Sequence, residues 1–445
     1  MFDLILRGGR VVDANGIHSV DIAISDGRIA ARLQPNQEAT ATTIIEVDDK
    51  LLMPGLVDAH VHLREPGMTW KEDFVSGTKA AIAGGVTTVL VMPTDDPWTT
   101  GPTEFNIKRL LAEECIYCNV GLQVAVGRDH DGLAELVDLG AVSFEIFTSD
   151  VRSDFLHGNA ADLTSSIAAV HRAGGNAAVS PGDQSLLEAE LARLTQGQSS
   201  AADFVRSRPS QAEALGVANA ILAAAKAGSA VHIRQCSSRE GLATYRRLRD
   251  LANVSIETSI QCLLFTQRDY DRLGPLAKAS PPWRDEADRQ AVRSAVAEGV
   301  IDIVVTDHAP HSLDEKMAHE GDFANVPGGF PGVQTLLPTL LHLVDDGLIQ
   351  LTDLVRLCAT RPAELFGLGG QKGRLKVGFD ADLLVIDPNQ PMTIRHADQI
   401  SKSKYTPFDG LSVSSSLEKV FVHGKEIMRA DGTITDAFGR FTRPG

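Results

Sequence analysis

The chain has 445 residues, a net charge of −16, 43% hydrophobic and 22% charged residues, the proportions of a soluble globular protein too long for one small domain. So acidic a chain excludes nucleic acid and an anionic membrane surface as partners, and an anionic ligand would need a local positive pocket. Five cysteines build no disulfide framework, and the lone CxxC at Cys115 and Cys118 reads as two buried thiols near a helix end.

The N-terminus, MFDLILRGGRVV, enters strand-like sequence without a signal peptide, and no run approaches the ~18 apolar residues of a membrane span. A cytoplasmic location is expected. The first fifty residues alternate apolar and polar positions between the turn dipeptides Asn15-Gly16 and Asp26-Gly27, an antiparallel β pattern. The same texture returns in GRLKVGFDADLLVIDP and LEKVFVHGKEIMRADG near the C-terminus. One β-sandwich domain built from both ends, 1–52 and 372–445, is therefore expected around a different middle, 53–371. In that middle, strands are predicted at 56–62, 87–92, 119–127, 143–147, 176–181, 230–236, 254–259 and 302–307. Helical stretches such as QAEALGVANAILAAAKAG lie between them, several ending in the glycine of a C-cap. Eight β-then-α units predict a (β/α)8 TIM barrel, with its chemistry at the C-terminal ends of the strands.

At the first strand end, GLVDAHVHLREPG places His60 and His62 two apart, so both imidazoles face one side and suit a metal ion. Two satisfied loop histidines are the alternative. The last strand, IDIVVTDHAPH, ends at Asp307, which can bind a metal and take a proton from water. His308 and His311 follow on the loop. Glu145, inside the apolar strand SFEIF, needs a partner because an unpaired buried carboxylate is costly. It is a metal ligand, a salt-bridge partner of Arg152 or Arg234, or the remnant of a dismantled site.

The segments PGLVDAHVHLREPG, EDFVSGTKAAIAGGVTTVLVMP, SPPWR, TDHAPH and GRLKVGFDADLLVIDP resemble the amidohydrolase superfamily, and within it the cyclic amidohydrolases: dihydroorotase, allantoinase and hydantoinase. The resemblance covers nearly the whole chain. It implies a distorted (β/α)8 barrel with a small β-sandwich, and a centre of two divalent ions. That centre would take the HxH pair, a carboxylated lysine on strand four, histidines on strands five and six, and the strand-eight aspartate. His60, His62 and Asp307 match, whereas Glu145, Ser180 and Gln235 stand where the lysine and the two other histidines would be. His232, an odd offset from Gln235, is expected to face away from the centre, and His171 to lie on the outer ring.

A mononuclear site of His60, His62 and Asp307, with Glu145 as a further ligand, is the resulting expectation: one divalent ion, zinc ahead of manganese or iron. Asp307 is also the expected catalytic group. Arg64 resembles the arginine that binds a substrate carboxylate in dihydroorotase, with a loop salt bridge to Glu65 or Glu72 as the alternative. His311 matches a second carboxylate contact. Thr94 stands at the place of an asparagine contact, Ser280 begins the segment equivalent to NPP, and Gly328 lies in the Gly-rich loop NVPGGFPGVQTLLP. These five are assigned to the substrate. The implied activity is metal-assisted opening of a cyclic amide or ureide, carboxylate-bearing in one version, by an enzyme expected to form a dimer or tetramer. The alternative is a catalytically inactive relative of dihydroorotase serving as scaffold or partner of another enzyme.

Overall fold

In the computed structural model, which describes residues 1–35, 37–194 and 199–445, eight parallel strands form the centre of the molecule. They are β1 (Leu56–Val61), β2 (Val86–Val91), β3 (Asn119–Ala125), β4 (Ser143–Phe147), β5 (Ala177–Ser180), β6 (Val231–Ile233), β7 (Val254–Ser259) and β8 (Ile303–Val305), paired in that order. Nearly every residue in them is buried, because the helices between them cover the outer face. The helix Ser210–Ala227 shows how the units turn: Gly228 takes φ 65° and its N–H bonds the Ala224 and Ala225 carbonyls, a left-handed C-cap that glycine adopts without steric cost.

The ring closes between β8 and β1 without a regular ladder. Val61 forms a single parallel bridge to His308, and the His62 N–H donates to the His308 carbonyl at 2.7 Å. Below them the buried Asp58 carboxylate accepts from the Thr306 N–H at 3.2 Å and from the Thr306 hydroxyl. The distorted (β/α)8 barrel expected from the strand spacing is the architecture, and this side-chain seam is one of its irregularities. Strands β6 and β8 are shorter than the sequence pattern predicts. Gln235 and Asp307, both placed in strands by that pattern, have φ 49° and 51°, which turns the chain out of the extended region.

The second unit is a β-sandwich from both ends of the chain. A four-stranded sheet runs in the order Arg28–Leu33, Asp21–Ser25, Phe2–Arg7, Ala41–Glu46. A six-stranded sheet runs in the order Lys425–Met428, Ser416–Val422, Leu383–Asp387, Leu51–Pro54, Arg10–Asp13, Gly16–Ser19. Leu52, Val11, Leu383, Val385 and Phe421 of the second sheet pack with Leu4, Leu6, Ile22 and Ile24 of the first. Its other face, with Leu51, Met53, Val12, Leu384 and Ile386, joins the hydrophobic core that runs through the barrel. The period of two thus sends alternate residues into two different cores. No helix among the described residues is long and apolar enough to cross a membrane.

Candidate metal centre and substrate pocket

The end of β1 and the residue beyond β8 bring His60, His62 and Asp307 together, with one ligand atom of each within 4.8 Å of the others. His60 Nε2 lies 3.4 Å and His62 Nε2 3.6 Å from Asp307 Oδ1. The far nitrogen of each ring is held: His60 Nδ1 bonds Glu257 Oε1 at 2.8 Å, and His62 Nδ1 bonds the Thr94 hydroxyl at 2.9 Å. A carboxylate only accepts, so His60 carries its hydrogen on Nδ1 and turns the Nε2 lone pair to the centre. Burial pulls the pKa of His62 down to about 3, so that ring is neutral. For His60 burial acts the same way, but Asp307 and Glu257 outweigh it and the pKa is raised. Two oriented imidazole nitrogens and a carboxylate oxygen form a donor set that fits a divalent ion such as zinc, with the outer bonds such ligands require.

Glu145 does not join this group, which corrects the expectation that it is a ligand. Arg234 Nε donates to its Oε2 at 3.0 Å and the Ser180 hydroxyl to its Oε1 at 2.6 Å, so both oxygens are engaged. Of the two arginines named as salt-bridge partners, Arg234 is the one used; Arg152 is exposed and pairs with Asp154. Arg234 also reaches Glu257 Oε2 and the Ala59 carbonyl through Nη1, at 2.9 and 3.2 Å. Through Nη2 it reaches Gln123 Oε1 and the Ser143 hydroxyl. His232 Nε2 bonds Glu257 Oε2 at 2.9 Å and its Nδ1 the Ser255 hydroxyl at 2.8 Å. The interior of the barrel beneath the histidines is therefore a polar layer, closed by Phe366, whose ring lies 5.4 Å from both the Arg234 guanidinium and the His232 ring.

His232 does not face away from the centre, contrary to the expectation from its odd offset to Gln235. Both point inward, because Gln235 lies past the end of β6 in the left-handed region. His232 sits in the buried layer, while Gln235 Nε2 donates to Asp307 Oδ2 at 2.6 Å and to the Ser280 carbonyl at 3.1 Å. Glu257, which bridges His60, His232 and Arg234, was missed in the sequence. Its signal is the one that singled out Glu145, a carboxylate inside the run VSIETS. Burial opposes its ionisation, but Arg234, His60 and His232 hold its pKa well below the ordinary carboxylate range.

A cavity of about 270 Å³ opens over the three converging residues, with Arg64, Ser280, Arg208 and Gly328 among its lining. Arg64, Asp150, Gln235 and Asp307 all line it with positive φ, between 49° and 61°, and they are half of the eight such non-glycine residues described. Backbone strain is thus gathered at this cavity, as at functional sites generally. Arg64 is buried, bonds the Pro310 carbonyl at 3.3 Å, and among the described residues forms no ion pair with Glu65, Glu72 or any other carboxylate. At the mouth, Arg208 and Asp150 make a forked ion pair with bonds of 2.9 to 3.2 Å.

Two residues assigned to the substrate lie behind the wall instead. Thr94 is occupied with His62. His311 is engaged at both nitrogens, by Lys71 Nζ at 3.2 Å and by the Gly328 carbonyl at 3.0 Å. Burial, then Arg64 and Lys71, push its pKa down to about 2, so it is a neutral brace between Arg64 and the Gly-rich loop.

Residues 201–427 match the family model described as the amidohydrolase family, and residues 49–241 match one described as dihydro-orotase-like. The chain is 32% identical to a dihydroorotase of Methanosarcina mazei over 92% of its own length and 91% of that protein. It is 33% identical to an allantoinase of Streptomyces avermitilis, over 98% of each. Among solved structures, the L-hydantoinase (dihydropyrimidinase) of Arthrobacter aurescens superposes with a TM-score of 0.95 at 27% identity, over the full length of both chains. The chain belongs to the amidohydrolase family, and its fold is that of these barrel enzymes. Within the family it is a cyclic amidohydrolase, a hydrolase of carbon–nitrogen bonds in cyclic amides. Dihydroorotases and allantoinases match at about equal identity, and hydantoinases share the fold, so likeness defines the class and leaves the ring to the pocket.

Proposed function

We propose that this cyclic amidohydrolase opens a small cyclic amide or ureide bearing an acidic group, and that it does so with one divalent ion, zinc, held by His60, His62 and Asp307. The observation that carries the reading is the convergence of two histidines whose outer nitrogens are already held, so that both Nε2 atoms face the Asp307 carboxylate. When bound, the ion supplies Lewis acidity, which makes water a nucleophile near neutral pH and polarises the ring carbonyl.

The protein's own groups do the rest. Asp307, whose Oδ1 faces the two histidines and whose Oδ2 is held by Gln235, accepts at Oδ2 the proton that water loses as its oxygen bonds the ring carbon. It returns that proton to the ring nitrogen as the carbon–nitrogen bond breaks, and the carboxylic acid so formed gives its remaining proton to solvent, leaving a carboxylate and a free amine or urea group. Arg64, cationic and without a carboxylate partner among the described residues, offers a planar fork for the acidic group of the ring.

Elemental analysis of protein purified without added metal or chelator tests the metal reading. One zinc per chain is expected, lost in His60→Ala. Two ions per chain, or one that His60→Ala leaves in place, would contradict it.

A further inference from the structure

Three positions at which the resemblance implies ligands of a second ion hold Glu145, Ser180 and Gln235, and none is left idle. Ser180 donates to Glu145, Arg234 joins Glu145 to Glu257, Glu257 holds His60, and Gln235 holds Asp307. Arg234, on the same strand end as Gln235, is at the middle of this chain of contacts. Its side chain is fully buried and does not line the cavity. A guanidinium has five N–H donors, and here five acceptors meet it: Glu145, Glu257, the Ala59 carbonyl and Gln123 take four of the N–H groups, and the Ser143 hydroxyl takes the fifth. No donor is left for a substrate, so its part in the reaction is not binding. It places a permanent positive charge between two carboxylates directly beneath the histidine pair.

On the reading that His60, His62 and Asp307 hold a metal, we propose that Arg234 is a built-in counter-cation of that centre. It occupies the strand-four carboxylate so that a second ion has no free ligand there, and through Glu257 and His60 it sets how tightly the first ion is held. Arg234 is thus a positioning residue, and the replacements at 145, 180 and 235 form one electrostatic unit instead of separate losses. The physics makes the claim signed. Neutralising Glu145 leaves the guanidinium less compensated and repels a bound dication; removing the guanidinium leaves excess negative charge and attracts one. Loss of packing alone would weaken binding in both cases.

The test is equilibrium dialysis against zinc over a range of free concentrations, with the bound metal counted per chain, on the whole protein and on three variants. Wild type and Arg234→Lys are expected to take one zinc with similar affinity, the lysine conserving the charge. Glu145→Gln is expected to bind one zinc about tenfold more weakly, the order of change produced by one unit charge at short range in a partly screened interior. Arg234→Met is expected to bind it more tightly or to take a second ion. X-ray absorption of zinc in Glu145→Gln should still show two histidine nitrogens and the same number of oxygens as wild type, which a lost ligand would not. Unchanged affinity in Glu145→Gln overturns the proposal even if Arg234→Met fails to fold, and so does weaker binding in a folded Arg234→Met or two ions in wild type. Absence of zinc from wild type would instead overturn the metal reading on which the proposal rests.

Discussion

Arg64 shows how a single side chain sorts the candidate substrates. Burial lowers its pKa, yet nearby Asp95 and Asp307 act in the opposite direction without forming an ion pair with it, and a guanidinium remains charged at any working pH. A buried cation without an ionic partner is costly, and a ligand anion relieves that cost. Arg64→Met should therefore raise the KM for a ring that carries a carboxylate by about a hundredfold, the loss of a charge-assisted forked bond of roughly 3 kcal/mol. The KM for a neutral ring such as hydantoin should shift much less. Initial-rate kinetics on both rings check this, and an equal change for the two would remove Arg64 from substrate recognition. At this scale the sequence was legible where residue type and strand end coincide, as for His60, His62 and Asp307. It was not legible where a partner comes from a distant strand. Nothing local distinguishes Glu145 as a ligand from Glu145 as the partner of Arg234, 89 positions away. The roles of Thr94 and His311 failed for the same reason, since each is decided by a neighbour from another loop.

Among the elements, the seam between β1 and β8 bears most directly on the site, because His60 and His62 stand on one side of it and Asp307 on the other. Asp58 accepts two bonds from Thr306 across that seam. Asp58→Ala would leave a buried N–H and a buried hydroxyl without their partner, about 1–3 kcal/mol for each. Chemical denaturation should show a loss of about 2–5 kcal/mol, and zinc binding should weaken as the two halves of the ligand set drift. A variant with wild-type stability would show that the backbone bridge at Val61 and His308 closes the barrel unaided. Strand positions were read correctly because β-rich runs alternate with amphipathic helices, while strand ends were not. Gln235 and Asp307 carry no sequence mark of the left-handed backbone that swings their side chains inward, and strict alternation assigns His232 and Gln235 to opposite faces when both face the centre.

For the whole molecule, the six-stranded sheet explains why the alternation expected of the terminal unit breaks down in part of it. Leu383–Asp387 is an unbroken apolar run, LLVI before its aspartate, because one face serves the sandwich and the other the core of the barrel. The polar layer inside the barrel is the corresponding departure at the centre. Where close-packed aliphatic side chains would suffice for folding, this chain buries Glu145, Arg234, Glu257, Gln123 and His232, and pairs every one of them. That expense is unnecessary for a mere scaffold, and it supports the histidine pair. The measurement that tests the account most directly is ring opening itself, followed by the appearance of a carboxylate from a panel of cyclic amides with and without an acidic substituent. The zinc-loaded protein is expected to open an acidic ring, to lose activity to a chelator and regain it with zinc, and to lose at least about a thousandfold in kcat in Asp307→Asn. A correctly folded, zinc-loaded protein inert toward every ring would contradict the account and return the chain to the reading of an inactive relative that supports another enzyme.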